Sequence, residues 1–149
     1  MVLTMVGIIV YRGKAYISSF AETEAGFHVR IEPVYVVNIN GEELLCALRK
    51  ALAVGNPRIP TPTREELSRK GPVLRATKAR SMKELAKTGA AYNIAWTDKG
   101  IEVETTRLDK QGRWEFDPEK RRVFPSDTPL EKIVAVILED IRSRPEVWQ

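Results

Sequence analysis

The carboxylates of the C-terminal third are the residues whose spacing could support chemistry. Glu102 and Glu104 share one face of a predicted strand, and Glu115, Asp117 and Glu119 recur at every second position. A carboxylate pair can bind Mg²⁺ or carry out acid–base catalysis, so a hydrolase built on Glu102 or Glu115 is one interpretation. Basic residues flank both sets, however, and this pattern favours ion pairs on a solvated surface.

The single histidine and the single cysteine give little support to catalysis. His28 alternates with apolar neighbours, which predicts a solvated position on a strand. Cys46 lies between Leu45 and Ala47 in a leucine-rich stretch, which predicts a buried and unreactive thiol. One His and one Cys cannot form a zinc set, and the glycines fit neither a P-loop nor a dinucleotide fingerprint. We therefore expect a protein that is not an enzyme, with no cofactor and no metal.

A helix over about 128–143 is the clearest structural prediction. Thr128 and Glu131 have capping-box spacing, and Pro129 would occupy the first helical position. The apolar residues repeat at helical spacing and form one stripe: Leu130, Ile133, Val134, Ile137, Leu138 and Ile141. A stripe of this width must pack on another element, and the strands before it are the nearest candidates.

The remaining patterns predict an α+β fold. A second main helix is expected over about 41–54, with Asn40 as its N-cap. Strands are expected over 5–11, 14–20, 27–31, 34–39, 73–77, 91–96 and 101–108. The sequence thus predicts an antiparallel sheet of several strands with two main helices packed on it.

Length and composition favour one domain that spans 1–149. A chain of 149 residues can bury a sizeable core without metals or disulfides. The apolar start, 1–10, lacks a basic leader and a small-residue cleavage site, so we interpret it as a strand. No apolar run approaches the roughly 20 residues of a membrane helix. A lone cysteine also fits a reducing compartment, and we expect a cytoplasmic protein with no membrane partner.

The positive charge of the chain is concentrated in its middle. Residues 41–90 hold eleven bases and five acids, whereas the whole chain has a net charge of +4. A Pro-rich connector, 56–71, begins this region, and its prolines favour an extended path. The Arg/Lys-rich stretch 56–88 could neutralise phosphates, so a basic nucleic-acid-associated protein is an alternative function. The absence of aromatic residues between 41 and 91 argues against it, because single strands need a stacking platform.

The segment 109–125, between the last predicted strand and the helix, combines aromatic residues with charges of both signs. An aromatic residue beside an arginine is typical of protein–protein hot spots, although aromatics also dominate cores. The sequence therefore predicts a partner-binding surface here that consists of Arg113, Trp114, Glu115, Asp117, Glu119 and Arg121.

The same region resembles a known family. The runs Trp96-Thr97-Asp98, Arg107-Leu108-Asp109, Gly112-Arg113-Trp114-Glu115, Asp117-Pro118, the stretch from Phe124 to Glu131 and Glu139-Asp140-Ile141 are similar to those of immunity proteins from bacterial contact-dependent growth inhibition systems. The resemblance covers about 90–148. It implies a small cytoplasmic α+β protein without catalysis, whose partner is the C-terminal toxin domain of a large secreted effector, often a nuclease. It carries no assigned contact residues.

Overall fold

The computed structural model describes residues 2–148 and confirms the α+β class. Nine strands lie within the described residues: β1 (Val2–Tyr11), β2 (Lys14–Thr23), β3 (His28–Arg30), β4 (Tyr35–Asn38), β5 (Arg58–Ile59), β6 (Ala90–Thr97), β7 (Gly100–Leu108), β8 (Trp114–Phe116) and β9 (Arg122–Phe124). Their order is β3-β2-β1-β6-β7-β8, with β4 and β5 also on β2 and β9 also on β7. All pairs are antiparallel except β2–β5. Met1 and Gln149, the ends of the predicted domain, lie outside the described residues.

Six helices lie within the same residues. They are α1 (Gly41–Val54), α2 (Arg64–Ser68), α3 (Pro72–Thr77), α4 (Met82–Thr88), α5 (Leu130–Arg142) and α6 (Pro145–Trp148). As predicted, Asn40 caps α1 and accepts a hydrogen bond from the backbone N of Glu43 at 2.9 Å. No helix of the described chain is both long and apolar enough to cross a membrane.

The sheet separates two hydrophobic clusters. The larger lies on the face covered by α1 and α5, and it includes the buried residues Ile133, Val134, Ile137, Leu138 and Ile141 of the predicted stripe. The smaller lies on the other face, where Val73 of α3 and Leu85 of α4 contact Ile9 and Tyr16. Side-chain alternation on β1 explains the division, because Val6, Ile8 and Val10 enter one cluster and Ile9 and Tyr11 enter the other.

The Pro-rich connector is extended only before α2, where its strand β5 pairs in parallel with β2. Asn56 anchors its start: its side-chain amide exchanges hydrogen bonds of 2.9 and 2.8 Å with the backbone of Met5 and donates to Phe20 O at 2.8 Å. Thr63 and Glu66 then form a capping box at the start of α2. The connector is thus held to the strands and does not behave as a free linker.

Two local predictions are wrong. The stretch 73–77 is not a strand, because Pro72 at the first helical position has the φ that a helix needs and starts α3. The capping box of Thr128 and Glu131 is also absent. Thr128 Oγ1 instead donates to Pro125 O at 2.7 Å. The helix α5 begins at Leu130, so Pro129 is its N-cap residue and not, as predicted, its first helical residue.

Candidate partner-binding surface

The segment 109–125 is ordered because both of its short strands pair with β7. β8 pairs with the end of β7, and β9 pairs with its beginning. Asp109 organises the turn into β8, where its Oδ1 accepts from the backbone N of Gln111 at 2.8 Å and of Arg113 at 2.9 Å. Both hydrogen bonds lower the pKa of the Asp109 carboxyl, and the bond from the backbone of Arg113 has the larger effect. The segment that carries the predicted surface is therefore part of the sheet, through the pairing of β8 and β9 with β7.

Trp114 is half-buried, so one part of its side chain packs in the protein and another part is exposed. Its ring packs against the smaller hydrophobic cluster, and its indole Nε1 donates to Gly89 O at 3.4 Å. The rest of the ring is accessible to solvent. With Asp117 it lines a groove of about 390 Å³ that also contacts α4 and α6. The groove therefore has one aromatic wall among charges of both signs, which are Lys87, Arg107, Lys120, Arg144, Asp117 and Glu146.

The charges of this surface are paired within the protein. Arg107 on β7 contacts Glu115 at 3.2 Å and Asp117 at 3.5 Å, while Arg113 contacts Asp109 at 3.4 Å. The arginines and Glu115 are exposed, whereas the side chains of Asp117 and Asp109 are only 13% and 23% exposed. Because each pair has at least one solvated partner, its contribution to stability is small. The pairs hold these side chains in defined positions on the surface.

Arg121 lies apart from the groove, against two glutamates of β7. Its guanidinium pairs with Glu102 and lies 3.7 Å from Glu104. Partial burial raises the pKa of the Glu104 carboxyl. The interpretation of Glu102 and Glu115 as members of ion pairs is confirmed, and the two carboxylates lie in different pairs.

A second hollow of about 390 Å³ lies between the segment and α5, and Glu119 lines it. Its polar centre is Asp140, which accepts from Tyr92 Oη at 2.7 Å and from Lys120 Nζ at 3.0 Å. Burial, followed by this hydrogen bond, raises the pKa of Tyr92. The structure thus places Trp114 and Asp117 on one groove and Glu119 on another hollow. Arg113, Glu115 and Arg121 are exposed and line neither.

The other candidate residues give a mixed result. His28 is exposed on β3, as predicted. The burial predicted for Cys46 is wrong: its side chain is exposed on α1, because the buried positions of that helix are Leu44, Ala47, Leu48 and Ala51. Over the residues that the structure describes, no group of three or more His, Cys, Asp or Glu side chains could hold a metal ion.

Sequence reasoning missed Arg30. This residue follows His28 on β3 at a strand spacing that predicts exposure, yet its guanidinium is deeply buried and stacks on Phe20, with Cζ 4.9 Å from the ring centroid. The sequence feature related to this burial is Gly7, whose lack of a side chain leaves room for the guanidinium. That packing joins residues far apart in the chain, so spacing alone could not reveal it.

Comparisons with known proteins extend the fold assignment. No protein-family model and no curated protein matches the sequence. A solved protein of unknown function from Neisseria meningitidis is similar with a TM-score of 0.65 and 13% identity over 93% of this chain and 94% of that chain. A chain of the CdiA-CT/CdiI toxin and immunity complex from Yersinia pseudotuberculosis is similar with a TM-score of 0.61 and 11% identity, over 95% and 96% of the respective chains. At these identities the likeness establishes a shared fold.

Proposed function

We propose that this protein is an immunity protein of a contact-dependent growth inhibition system. It binds the C-terminal toxin domain of a secreted effector, a nuclease in the simplest case, and neutralises it in the cytoplasm of the producing cell. The observation that carries the proposal is the fold shared, over 95% of this chain, with a chain of a toxin and immunity complex. The sequence resemblance over about 90–148 supports the same conclusion.

In this proposal the protein acts by occlusion and catalyses no reaction. The groove at Trp114 takes an apolar side chain of the toxin, while Asp117 and Glu119 face its basic residues and Arg113 and Arg121 face its acidic ones. Because charges of both signs lie side by side here, local complementarity can be achieved on a chain whose net charge is +4. Docking on a cationic nuclease is therefore compatible with the positive net charge of this chain.

Co-expression with the toxin domain encoded immediately upstream tests the proposal. The expected results are co-purification of the two chains and survival of cells that express the toxin. A toxin domain from an unrelated effector serves as the control and should neither bind nor be neutralised. Absence of binding to the cognate neighbour, measured with both proteins folded, would refute the proposal.

The alternative function, association with nucleic acid, is favoured by one observation. The basic residues of 56–88 are all exposed: Arg58, Arg64, Arg69, Lys70, Arg75, Lys78, Arg80, Lys83 and Lys87. Binding through them would weaken steeply with salt, with a slope near the number of phosphates neutralised. Fluorescence anisotropy with duplex DNA and single-stranded RNA at low and high salt measures this slope, and weak binding without salt dependence would exclude the alternative.

A further inference from the structure

A cleft of about 540 Å³ lies between β3 and the short helices α2 and α3, on the basic middle of the chain. Four cationic residues line it, and the only acidic residue among its lining residues is Glu66: the cations are Arg30, Arg69, Lys70 and Arg75. The Glu66 carboxylate is already held, because it accepts from the backbone N of Thr63 at 3.1 Å in the capping box. Two of the cations are paired with acids that do not line the cleft, Arg69 with Glu65 at 3.4 Å and Arg75 with Glu32 at 3.0 Å. The surplus of positive charge in the cleft therefore comes from Arg30 and Lys70.

Arg30 is the unusual member of this set. Its guanidinium is deeply buried, its Nη1 has no hydrogen-bond partner, and none of the carboxylates within residues 2–148 forms an ion pair with it. Burial lowers the pKa of Arg30 to about 10. A buried guanidinium that lacks an anionic partner is costly for a fold, since desolvation is not offset by pairing.

A second unpartnered polar atom lies close to Arg30 in the fold. Ser18 Oγ is buried without a hydrogen-bond partner, and Ser18 pairs across the β1–β2 hairpin with Gly7. The Arg30 guanidinium packs over the same Gly7. Nη1 faces Gly7, whereas Arg30 also lines the cleft, so an incoming acceptor would reach the guanidinium from the side of the cleft.

The outer part of the cleft is apolar. Leu67 of α2 and Met82 at the start of α4 line it and are 52% and 44% exposed. The lining residues include no aromatic side chain, so the cleft offers nucleic-acid bases no surface for stacking. A guanidinium beside an aliphatic wall instead suits a peptide that carries a carboxylate next to an aliphatic side chain.

We propose that this cleft binds an acidic segment of a partner polypeptide, with one carboxylate paired to Arg30 and a neighbouring aliphatic side chain packed on Leu67 and Met82. The cleft adjoins β3, at the opposite end of the strand order from β8, so it is a contact region separate from the groove at Trp114. The inference goes beyond the proposed function and depends on it only for the identity of the partner.

The test uses the full-length protein and a defined probe, the capped peptide acetyl-Glu-Leu-Glu-Leu-Glu-amide. NMR titration should shift the Arg30 Nε–Hε signal and the methyl signals of Leu67 and Met82. The matched peptide with Gln in place of Glu should bind at least about tenfold more weakly, because it lacks the charge-assisted bonds. Since no toxin is present, failure here leaves the proposed function intact.

Variants separate recognition from folding. Arg30→Met should abolish the shifts at Leu67 and Met82 and leave the urea midpoint unchanged or higher, since an apolar side chain replaces an unpaired buried charge. Arg49→Met removes the same charge from α1, outside the cleft, and should bind the peptide normally. Leu67→Gln changes an exposed residue and should weaken binding without loss of fold, which keeps the test valid if Arg30→Met does not fold.

Three results would overturn the inference. The first is the absence of shifts at these residues up to millimolar peptide. The second is normal binding by folded Arg30→Met. The third is binding of inorganic phosphate or a single-stranded dT oligonucleotide at the same residues as tightly as the acidic peptide, which would make the cleft a phosphate site.

Discussion

Gly7 of β1 lies directly beneath the guanidinium of Arg30. A Cβ at position 7 would overlap Arg30 Nη1 and would lie 3.0 Å from two ring carbons of Phe20. The absence of a side chain on one strand thus allows a charged group from another to be buried. This contact links the outer strand β3 to the centre of the sheet.

The contact predicts that Gly7→Ala is destabilising. Displacement of a packed guanidinium and an aromatic ring should lower the free energy of unfolding by about 1–3 kcal/mol, the usual range for overpacking. Urea denaturation measures the change. Gly71→Ala is the matched control, since no atom lies within 4 Å of a Cβ built there. Equal stability of Gly7→Ala and wild type would show that Arg30 does not occupy this position.

A second prediction concerns the packing of α5 on the sheet. Ile137 is fully buried in the larger cluster, so Ile137→Ala should lower the free energy of unfolding by about 2–5 kcal/mol. Lys132→Ala, at an exposed position of the same helix, should change it little. Thermal and urea unfolding of the two variants should therefore differ clearly, and coincident curves would contradict the packing.

A third prediction concerns pH and the Asp109 turn. The native pKa of Asp109 is lowered from 3.8, chiefly by the hydrogen bond from Arg113 N. A lowered native pKa means that the stabilisation is present above the unfolded pKa and is lost as the pH falls through the native value. The stability difference between wild type and Asp109→Asn should accordingly be constant above about pH 5 and shrink toward acid pH. If the stability difference between wild type and Asp109→Asn grew as the pH falls, the pKa of Asp109 would not be lowered in the folded protein.

A fourth prediction separates the two roles of Trp114. Trp114→Ala removes both the core contact and the exposed ring, so it should reduce stability and also weaken toxin binding by about thirtyfold or more. Trp114→Phe retains most of the apolar packing but loses the hydrogen bond to Gly89 O. Calorimetric titration of the folded variants with the toxin domain gives the binding loss. Normal affinity of folded Trp114→Ala would place the interface elsewhere, with the Arg30 cleft as the next candidate.

The parts of the fold that could be predicted from sequence are those in which local pattern and tertiary packing agree. The α5 stripe has strong helical periodicity and forms as predicted. The strands expected over 5–11 and 14–20 form within β1 and β2. Val73 and Thr77 are β-branched and suggested a strand, but Pro72 determines the local structure and makes a helix. The exposure of Cys46 depends on which side of α1 faces the sheet, and neighbouring leucines do not decide this.

The candidate surface also has features that could be predicted from the sequence and features that could not. Its composition indicated Trp114 and the charged residues around it, since aromatics among charges are recognisable in sequence. Their grouping was not predictable, because it depends on how β8 and β9 pair with β7 and on contacts with Gly89 and Asp140. Arg30 was missed for a related reason: its burial is caused by Gly7 and Phe20, which belong to other strands.

One measurement tests most directly the proposed binding and neutralisation of a toxin domain. The purified protein is titrated into the purified toxin domain encoded upstream, and complex formation and toxin activity are followed in the same samples. The account predicts a saturable complex, with toxin activity falling in proportion to complex formed and unaffected by an equal amount of heat-unfolded protein. Full toxin activity at a large excess of the folded protein, with no complex detected, would contradict it.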